Sequence, residues 1–328
     1  MKTSEVQDTL TRIFKQDTRF CSVFLRGAPG IGKGALVSAA AKAAHKTLMT
    51  LALPTCDEVD LRGMPYVAEG KTLWASPLPH KGHGVLLLDE IASASPAVQV
   101  ASHHIVWDET GSDMTLAPGW HVIMTGNRAK DRTLYRAMSG PLRNRVTVID
   151  VETDIESWSK WAIDERLDSA IIGFLRWRPN LLVTENVPDD GAFPSPRSWH
   201  KASMLLSQNF DIRVEREMLT GTIGNGAETE FSAYLRTLRD LPKIQTIMDN
   251  QEKADIPSSP SLLYALVTSL AKYTNINQKS AMKYVGRLPA EFGVLYIRDI
   301  RDNFELKTDP DVRKWIGDHK RLFQDDIL

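Results

Sequence analysis

Between residues 21 and 45 the chain reads CSVFLRG, then GAPGIGKG sharing its first glycine, then a run dominated by alanine. The first segment is a short β-rich apolar run. The last is a helix by composition, alanine being the best helix former. Glycines at 27, 30, 32 and 34 lie between them, where the backbone can take conformations closed to other residues. A strand that turns through glycines straight into a helix is a βα joint, and it commits this half of the chain to an α/β architecture. The pattern continues. LMTLAL (48–53) is a second predicted strand, stopped by Pro54, and GVLLLDE (84–90) a third, with the unbroken apolar core of a strand buried on both faces. Pro96 to Trp107 reads as a helix, HVIMTGN (121–127) as a fourth strand and VTVIDV (146–151) as a fifth. Strands alternating with helices predict a parallel sheet covered on both sides. Ahead of it, Val6, Leu10, Ile13 and Phe14 recur at helical spacing over residues 3–16. Two stretches break the alternation. Residues 57–80, with Gly63, Pro65, Gly70, Pro77 and Pro79, read as a looped insertion; residues 108–119 read as a hairpin before the fourth strand.

After Val151 helical patterns take over: 154–166, 168–177, 196–208, 211–220, 227–239, 261–273, 277–287 and 310–323. A chain of 328 residues exceeds the usual single domain. The expected plan is an α/β core over 1–152, a helical lid over 153–208 and a helical C-terminal extension over 209–328. The formal net charge of -1 gives no global basic excess, so DNA as a partner is unsupported by charge. Of the two cysteines, Cys21 opens an apolar run and reads as a core thiol; neither Cys21 nor Cys56 has metal-ligand spacing. The first residues lack a secretory apolar core. No stretch nears the roughly 18 apolar residues of a membrane helix. The expectation is a cytoplasmic protein with no membrane contact.

The chemistry follows from GAPGIGKG. Gly27, Gly32 and Lys33 match the phosphate-loop pattern G-x-x-x-x-G-K-[ST]; Gly34 does not. Residues Gly27, Ala28, Pro29, Gly30, Ile31, Gly32, Lys33, Gly34 and Ala35 would wrap the phosphates. Glycines let several N–H groups converge on phosphate oxygens. Lys33 brings positive charge to the β- and γ-phosphates, and the helix beginning near it adds its dipole. At the end of the third strand stand Asp89 and Glu90, where ligands of α/β sheets bind. In a P-loop enzyme such an Asp holds Mg²⁺, and the adjacent Glu can polarise the attacking water. ATP and Mg²⁺ are the expected ligands.

With these motifs in view, the order resembles AAA+ ATPases of the MoxR-like group over about residues 20–205. GAPGIGKG is similar to Walker A and LLLDE to Walker B. IMTGNR resembles the sensor-1 strand and implies Asn127 as the polar residue near the γ-phosphate. PLRNRV resembles the segment carrying the arginine finger, which implies Arg145 first and Arg143 second. FPSPRSW (193–199) resembles the start of the sensor-2 helix and implies Arg197. DLRGMPYV (60–67) also looks like the family's segment after the second strand. The resemblance implies a homo-oligomeric ring, a hexamer, that hydrolyses ATP to remodel a partner complex, often with a von Willebrand factor A-domain protein. Under it, 57–80 and 108–119 would face a substrate, with Tyr66 as a contact.

Other residues carry less. His80, His83, His103 and His104 match no zinc spacing. Ser195 and Ser198 lack a nucleophile elbow. Trp158, Trp161 and Trp177 fall on predicted helices with apolar neighbours and read as packing residues. Two rival functions stay open. One is a nucleotide-gated scaffold with slow or no hydrolysis, which the missing hydroxyl at Gly34 favours. The other is a DNA-handling ATPase, for which Arg132, Arg136, Arg143 and Arg145 would supply a local basic face.

Overall fold

A computed structural model describes residues 1–106, 116–131, 136–184, 187–238, 241, 243–273, 278–300 and 309–323. The chain divides into two compact units, Met1–Ser157 with Glu185–Asp189, and Trp158–Thr184 with Asp190–Leu328.

Among the described residues the first unit holds seven strands: β1 (Val23–Arg26), β2 (Thr47–Ala52), β3 (Met64–Ala68), β4 (Lys71–Ala75), β5 (His83–Asp89), β6 (Gly119–Gly126) and β7 (Thr147–Asp150). Five of them form one sheet in the order β2-β5-β6-β1-β7, parallel throughout. Parallel neighbours need crossovers. Helices α2 (Lys33–Ala43) and α4 (Pro96–Val106) fall in them, with α1 (Thr3–Phe14) ahead of the sheet and the short α3 (Glu58–Arg62) and α5 (Gly140–Asn144) between strands. The central strands are apolar on both faces because both are covered. In β6 every residue is buried, and in β5 Gly84 through Leu88 are. The edge strands β2 and β7 are more exposed. Leu86, Leu88, Val98, Ile105, Val122 and Met124 anchor the core on one side. His121 is fully buried, and its Nε2 pairs with Gln16 O at 3.1 Å. Burial, outweighing that bond, holds its pKa below the ordinary imidazole value, so the ring is neutral at pH 7.

Residues 64–75 are not a plain loop. β3 and β4 pair antiparallel, Met64 with Ala75 through Ala68 with Lys71. The turn residues Glu69 and Gly70 both have positive φ, 52° and 72°, as a two-residue hairpin turn requires. Pro65 is tolerated because a two-stranded ribbon is all edge. Tyr66 lies on this hairpin and is about half exposed. Most of 108–119 falls outside the described residues, as do Trp107 and Arg132; within it, Leu116 and Ala117 are buried and Gly119 opens β6.

The second unit is helical: α6 (Ile155–Asp164, which begins at the unit boundary), α7 (Ser169–Trp177), α8 (Pro196–Leu206), α9 (Ile212–Ile223), α10 (Asn225–Leu238), α11 (Ile244–Asp249), α12 (Pro260–Tyr273), α13 (Gln278–Val285), α14 (Ala290–Ile300) and α15 (Pro310–Asp318). An aromatic cluster, Phe174, Trp199, Phe231 and Tyr234, joins α7, α8 and α10 with ring centroids 5.1–6.4 Å apart. A second core holds α11–α15 together through Leu266, Tyr284, Tyr296 and Ile297. Arg176 and Asp299, both nearly buried, form a two-pronged ion pair of 2.6–2.7 Å between α7 and α14. Trp158 is buried as expected, whereas Trp161 and Trp177 are more than a third exposed. The fold class read from the sequence, a parallel α/β sheet followed by a helical C-terminal region, is the one observed. Among the described residues no helix is long and apolar enough to cross a membrane.

Candidate functional site

Register decides which side chains can meet. Arg26 of β1 pairs with Gly126 of β6 and with Asp150 of β7, while Leu88 of β5 pairs with Met124 of β6. The carboxyl ends of four strands therefore lie level, and the segments leaving them, Gly27, Asp89–Glu90 and Asn127, share one end of the sheet. The order also reverses here: from β1 the chain runs out to β2 on one side and ends at β7 on the other, and ligands of open α/β sheets bind at such a switch. Arg26 and Asp150 tie the β1–β7 side with paired bonds of 2.6 and 2.8 Å, which lower the Asp150 pKa.

The loop leaves β1 with Gly27, whose N–H donates to Gly126 O at 3.2 Å. A Cβ there would come within 2.5 Å of Ile31 Cδ1 and 3.0 Å of Val151 O. Ala28 and Ile31 are buried against the core, while Pro29 and Gly30 form the outward turn. Gly32 caps α2 in the left-handed region, φ 92° and ψ 23°, a conformation that costs other residues about 1–2 kcal/mol. The N–H groups of Gly30, Gly32 and Gly34 donate to no acceptor among the described residues. They stand at the start of an 11-residue helix, where unpaired donors and the dipole favour an anion.

Lys33, at the first helical position, is only 9% exposed. Its Nζ donates to Gly27 O, Ala28 O and Asn127 Oδ1, each at 2.9 Å. The last contact brings together two residues read from separate motifs. Across the strand ends, Thr125 of β6 donates through Oγ1 to Asp89 Oδ1 and accepts the Glu90 N–H at 3.1 Å. Glu90 is left-handed, φ 60° and ψ 42°, with its side chain exposed. Thr125 was not singled out in the sequence, where a threonine inside an apolar strand signals only β-propensity. Gly34 sits at the second helical position, and a Cβ there would touch only Leu87 Cδ2, at 3.9 Å.

The arginines fall in different places. Arg143 and Arg145 are at the end of α5. Arg143 is exposed and its guanidinium has no partner among the described residues. Arg145 is half-buried and Nη1 donates to Pro141 O at 3.4 Å. Its charge, after burial, helps to lower the pKa of His103, whose Nε2 pairs with Ser139 Oγ at 2.9 Å. Arg197 belongs to the second unit, exposed in the first turn of α8. Ser195 and Ser198 form the reciprocal cap of that helix, with bonds of 2.8 and 3.1 Å. Among the described residues no three His, Cys, Asp or Glu side chains gather as a metal cage. Mg²⁺ needs none, taking one or two carboxylates with phosphate oxygens and water. One anchored carboxylate, Asp89, fits that demand.

No protein-family model and no curated protein matches the chain. Solved structures with a similar chain trace include NtrX from Brucella abortus, at 14% identity and a TM-score of 0.38, covering 90% of this chain and 67% of that one. A point mutant of Thermotoga maritima RuvB matches at 16% identity and a TM-score of 0.43, covering 88% of each chain. The Thermotoga maritima RuvB Holliday junction branch migration motor matches at 17% and 0.42, covering 86% of each. At that distance the site's own geometry has to carry a functional reading.

Proposed function

We propose that this chain is a ring-forming AAA+ protein of the MoxR-like type that binds and hydrolyses ATP to remodel or assemble a partner complex. The observation that carries the reading is the Lys33 ammonium, held by two loop carbonyls and Asn127 Oδ1 at the sheet end that also bears Asp89 and Glu90. In this reading the loop N–H groups and Lys33 hold the phosphates. Asp89 holds Mg²⁺, which when bound neutralises charge on the phosphate oxygens. Glu90 accepts a proton from the attacking water, and Asn127 orients the γ-phosphate side. Arg197 belongs to the lid proposed over 153–208, and 209–328 form the extension. A neighbouring protomer completes the site with Arg145 or Arg143; of the two, Arg143 has the less engaged guanidinium. A von Willebrand factor A-domain protein is the partner class implied, and the hairpin bearing Tyr66 is the part proposed to face the substrate.

An arginine supplied in trans needs a closed head-to-tail ring. With a saturating non-hydrolysable ATP analogue, mass photometry is expected to give a ring, a hexamer by the family resemblance. Arg143→Ala or Arg145→Ala should lower turnover about 1000-fold while ATP affinity stays. Monomers alone at saturating analogue would remove the trans role from both arginines.

Gly34 favours a second reading, a nucleotide-gated scaffold with little hydrolysis. The hydroxyl usual at this position coordinates Mg²⁺. Ser38, one turn on and exposed, lies about 6 Å further along the axis. Water can fill the vacant ligand position, so ATP binding survives, but turnover depends on fixed placement. The space around Gly34 admits a side chain, so Gly34→Thr is expected to raise the steady-state rate about tenfold with ATP affinity within about threefold. A parent and variant both inert in an assembled ring would leave the scaffold as the better reading. A DNA-handling role would reveal itself as DNA binding that weakens steeply with salt.

A further inference from the structure

The bond pair at Thr125 has a polarity. Its Oγ1 accepts the Glu90 N–H at 3.1 Å. A hydroxyl has one hydrogen, and that hydrogen goes to Asp89 Oδ1. The result is a directed chain, Glu90 N–H to Thr125 Oγ1–H to Asp89 Oδ1, in which each bond polarises the next. Thr125 is fully buried on a strand with no exposed residue. Its hydroxyl sits where an unmade bond would be costly, yet both bonds go to the two acidic residues and neither to the backbone ladder.

Each bond removes a freedom. The bond to Oδ1 fixes the rotation of the Asp89 carboxylate about its Cβ–Cγ axis. It uses one oxygen and leaves the other to a ligand from outside the described residues. The bond from Glu90 N–H fixes the peptide that joins the two acids. Glu90 needs this, because its left-handed backbone is disfavoured for any residue that carries a β-carbon. Such strain persists only where the surroundings over-determine it. Thr125 supplies that constraint from β6, the strand that two residues later delivers Asn127. One hydroxyl thus couples the strand end bearing Asn127 to the turn bearing both carboxylates.

We infer that Thr125 is a positioning residue that sets the Asp89 carboxylate for a divalent cation and the Glu90 turn for the attacking water. The inference rests on the proposed ATP site. It separates from a merely structural role through the cation dependence of nucleotide affinity, a quantity that looser packing does not move selectively.

The experiment compares the full-length parent with Thr125→Val, which keeps the shape and removes the hydroxyl, and with Thr125→Ser, which keeps the hydroxyl. A fluorescent ATP analogue is titrated in EDTA and again over a series of Mg²⁺ and of Mn²⁺ concentrations. Thr125→Val is expected to bind the analogue in EDTA within about twofold of the parent. It should need about tenfold more Mg²⁺ to reach half of the cation-dependent gain, the loss of one charge-assisted bond being worth about that factor. Thr125→Ser should return to within about threefold. Turnover at saturating Mg²⁺ should fall in Thr125→Val and recover in Thr125→Ser, because the Glu90 turn is still loosened when the cation site is full. If Thr125→Val lowers only the melting temperature, with the Mg²⁺ midpoint unmoved, the positioning role is overturned while the ATP site stands. If the parent itself binds no nucleotide in either condition, both fall together.

Discussion

Replacing Lys33 with alanine is expected to weaken ATP binding about 100-fold or more and to leave the fold in place. The ammonium is almost fully buried and has three oxygen partners at 2.9 Å. In that setting, a positive charge toward the β- and γ-phosphates acts at a far lower dielectric than water. Charge-assisted hydrogen bonds are worth about 1.5–3 kcal/mol each, and every 1.4 kcal/mol is about a factor of ten. Bound phosphate would take over two of the three N–H donors now held by protein oxygens, and two such bonds account for the predicted loss. The cost to folding is smaller. Gly27 O and Ala28 O lose a donor, but the adjoining Pro29 and Gly30 are partly exposed, so water can approach the loop from that side. Alanine is also a good first residue for α2. Calorimetry of ATP binding with a parallel thermal melt checks both halves. Unchanged affinity in a folded variant would remove the phosphate-loop assignment, and with it the roles given to Asp89 and Glu90.

How much of this was readable without coordinates depends on how local the signal is. β1, β5, β6 and the loop from Gly27 to Gly34 announce themselves because a strand buried on both faces is an apolar run and a βα turn needs glycine in a fixed place. The reading of 57–80 as a looped insertion failed on the hairpin. β3 and β4 are five residues each and exposed, and Pro65 argues against a strand. The one usable signal was Glu69–Gly70, a pair able to take positive φ at both turn positions. Helix α14 was missed for a different reason. AEFGVLYIRDI is rich in β-branched and aromatic residues and carries Gly293, so propensity disfavours a helix. Tertiary packing overrides it: Phe292, Tyr296, Ile297 and Ile300 face a core. Gly293 is explained by Trp315, whose ring lies 2.3 Å from where a Cβ would stand. Within the site, motif order named Lys33, Asp89, Glu90 and Asn127, but nothing local named Thr125. Its partners lie 35 and 36 residues away along the chain, and only the pairing of β5 with β6 brings them together.

Glu90→Gln is expected to lower turnover about 100-fold or more, within the range for loss of a general base, with ATP affinity within about threefold. The substitution is nearly isosteric. It leaves the backbone N–H that bonds Thr125, so the left-handed turn keeps its support. Asp89, one residue earlier, keeps its carboxylate and its bond to Thr125. What disappears is the basic oxygen. The Glu90 side chain is exposed, so its access to water is open, and its effect on catalysis depends on its aim. A neutral amide in the same place can still orient water but cannot take its proton. The variant should therefore fill with ATP and stay filled. In the ring reading it should also hold the assembled state longer than the parent, which mass photometry after removal of free nucleotide would record. Single-turnover hydrolysis with radiolabelled ATP separates the chemical step from product release. A Glu90→Gln protein that hydrolyses as fast as the parent in that assay would show that another group takes the proton.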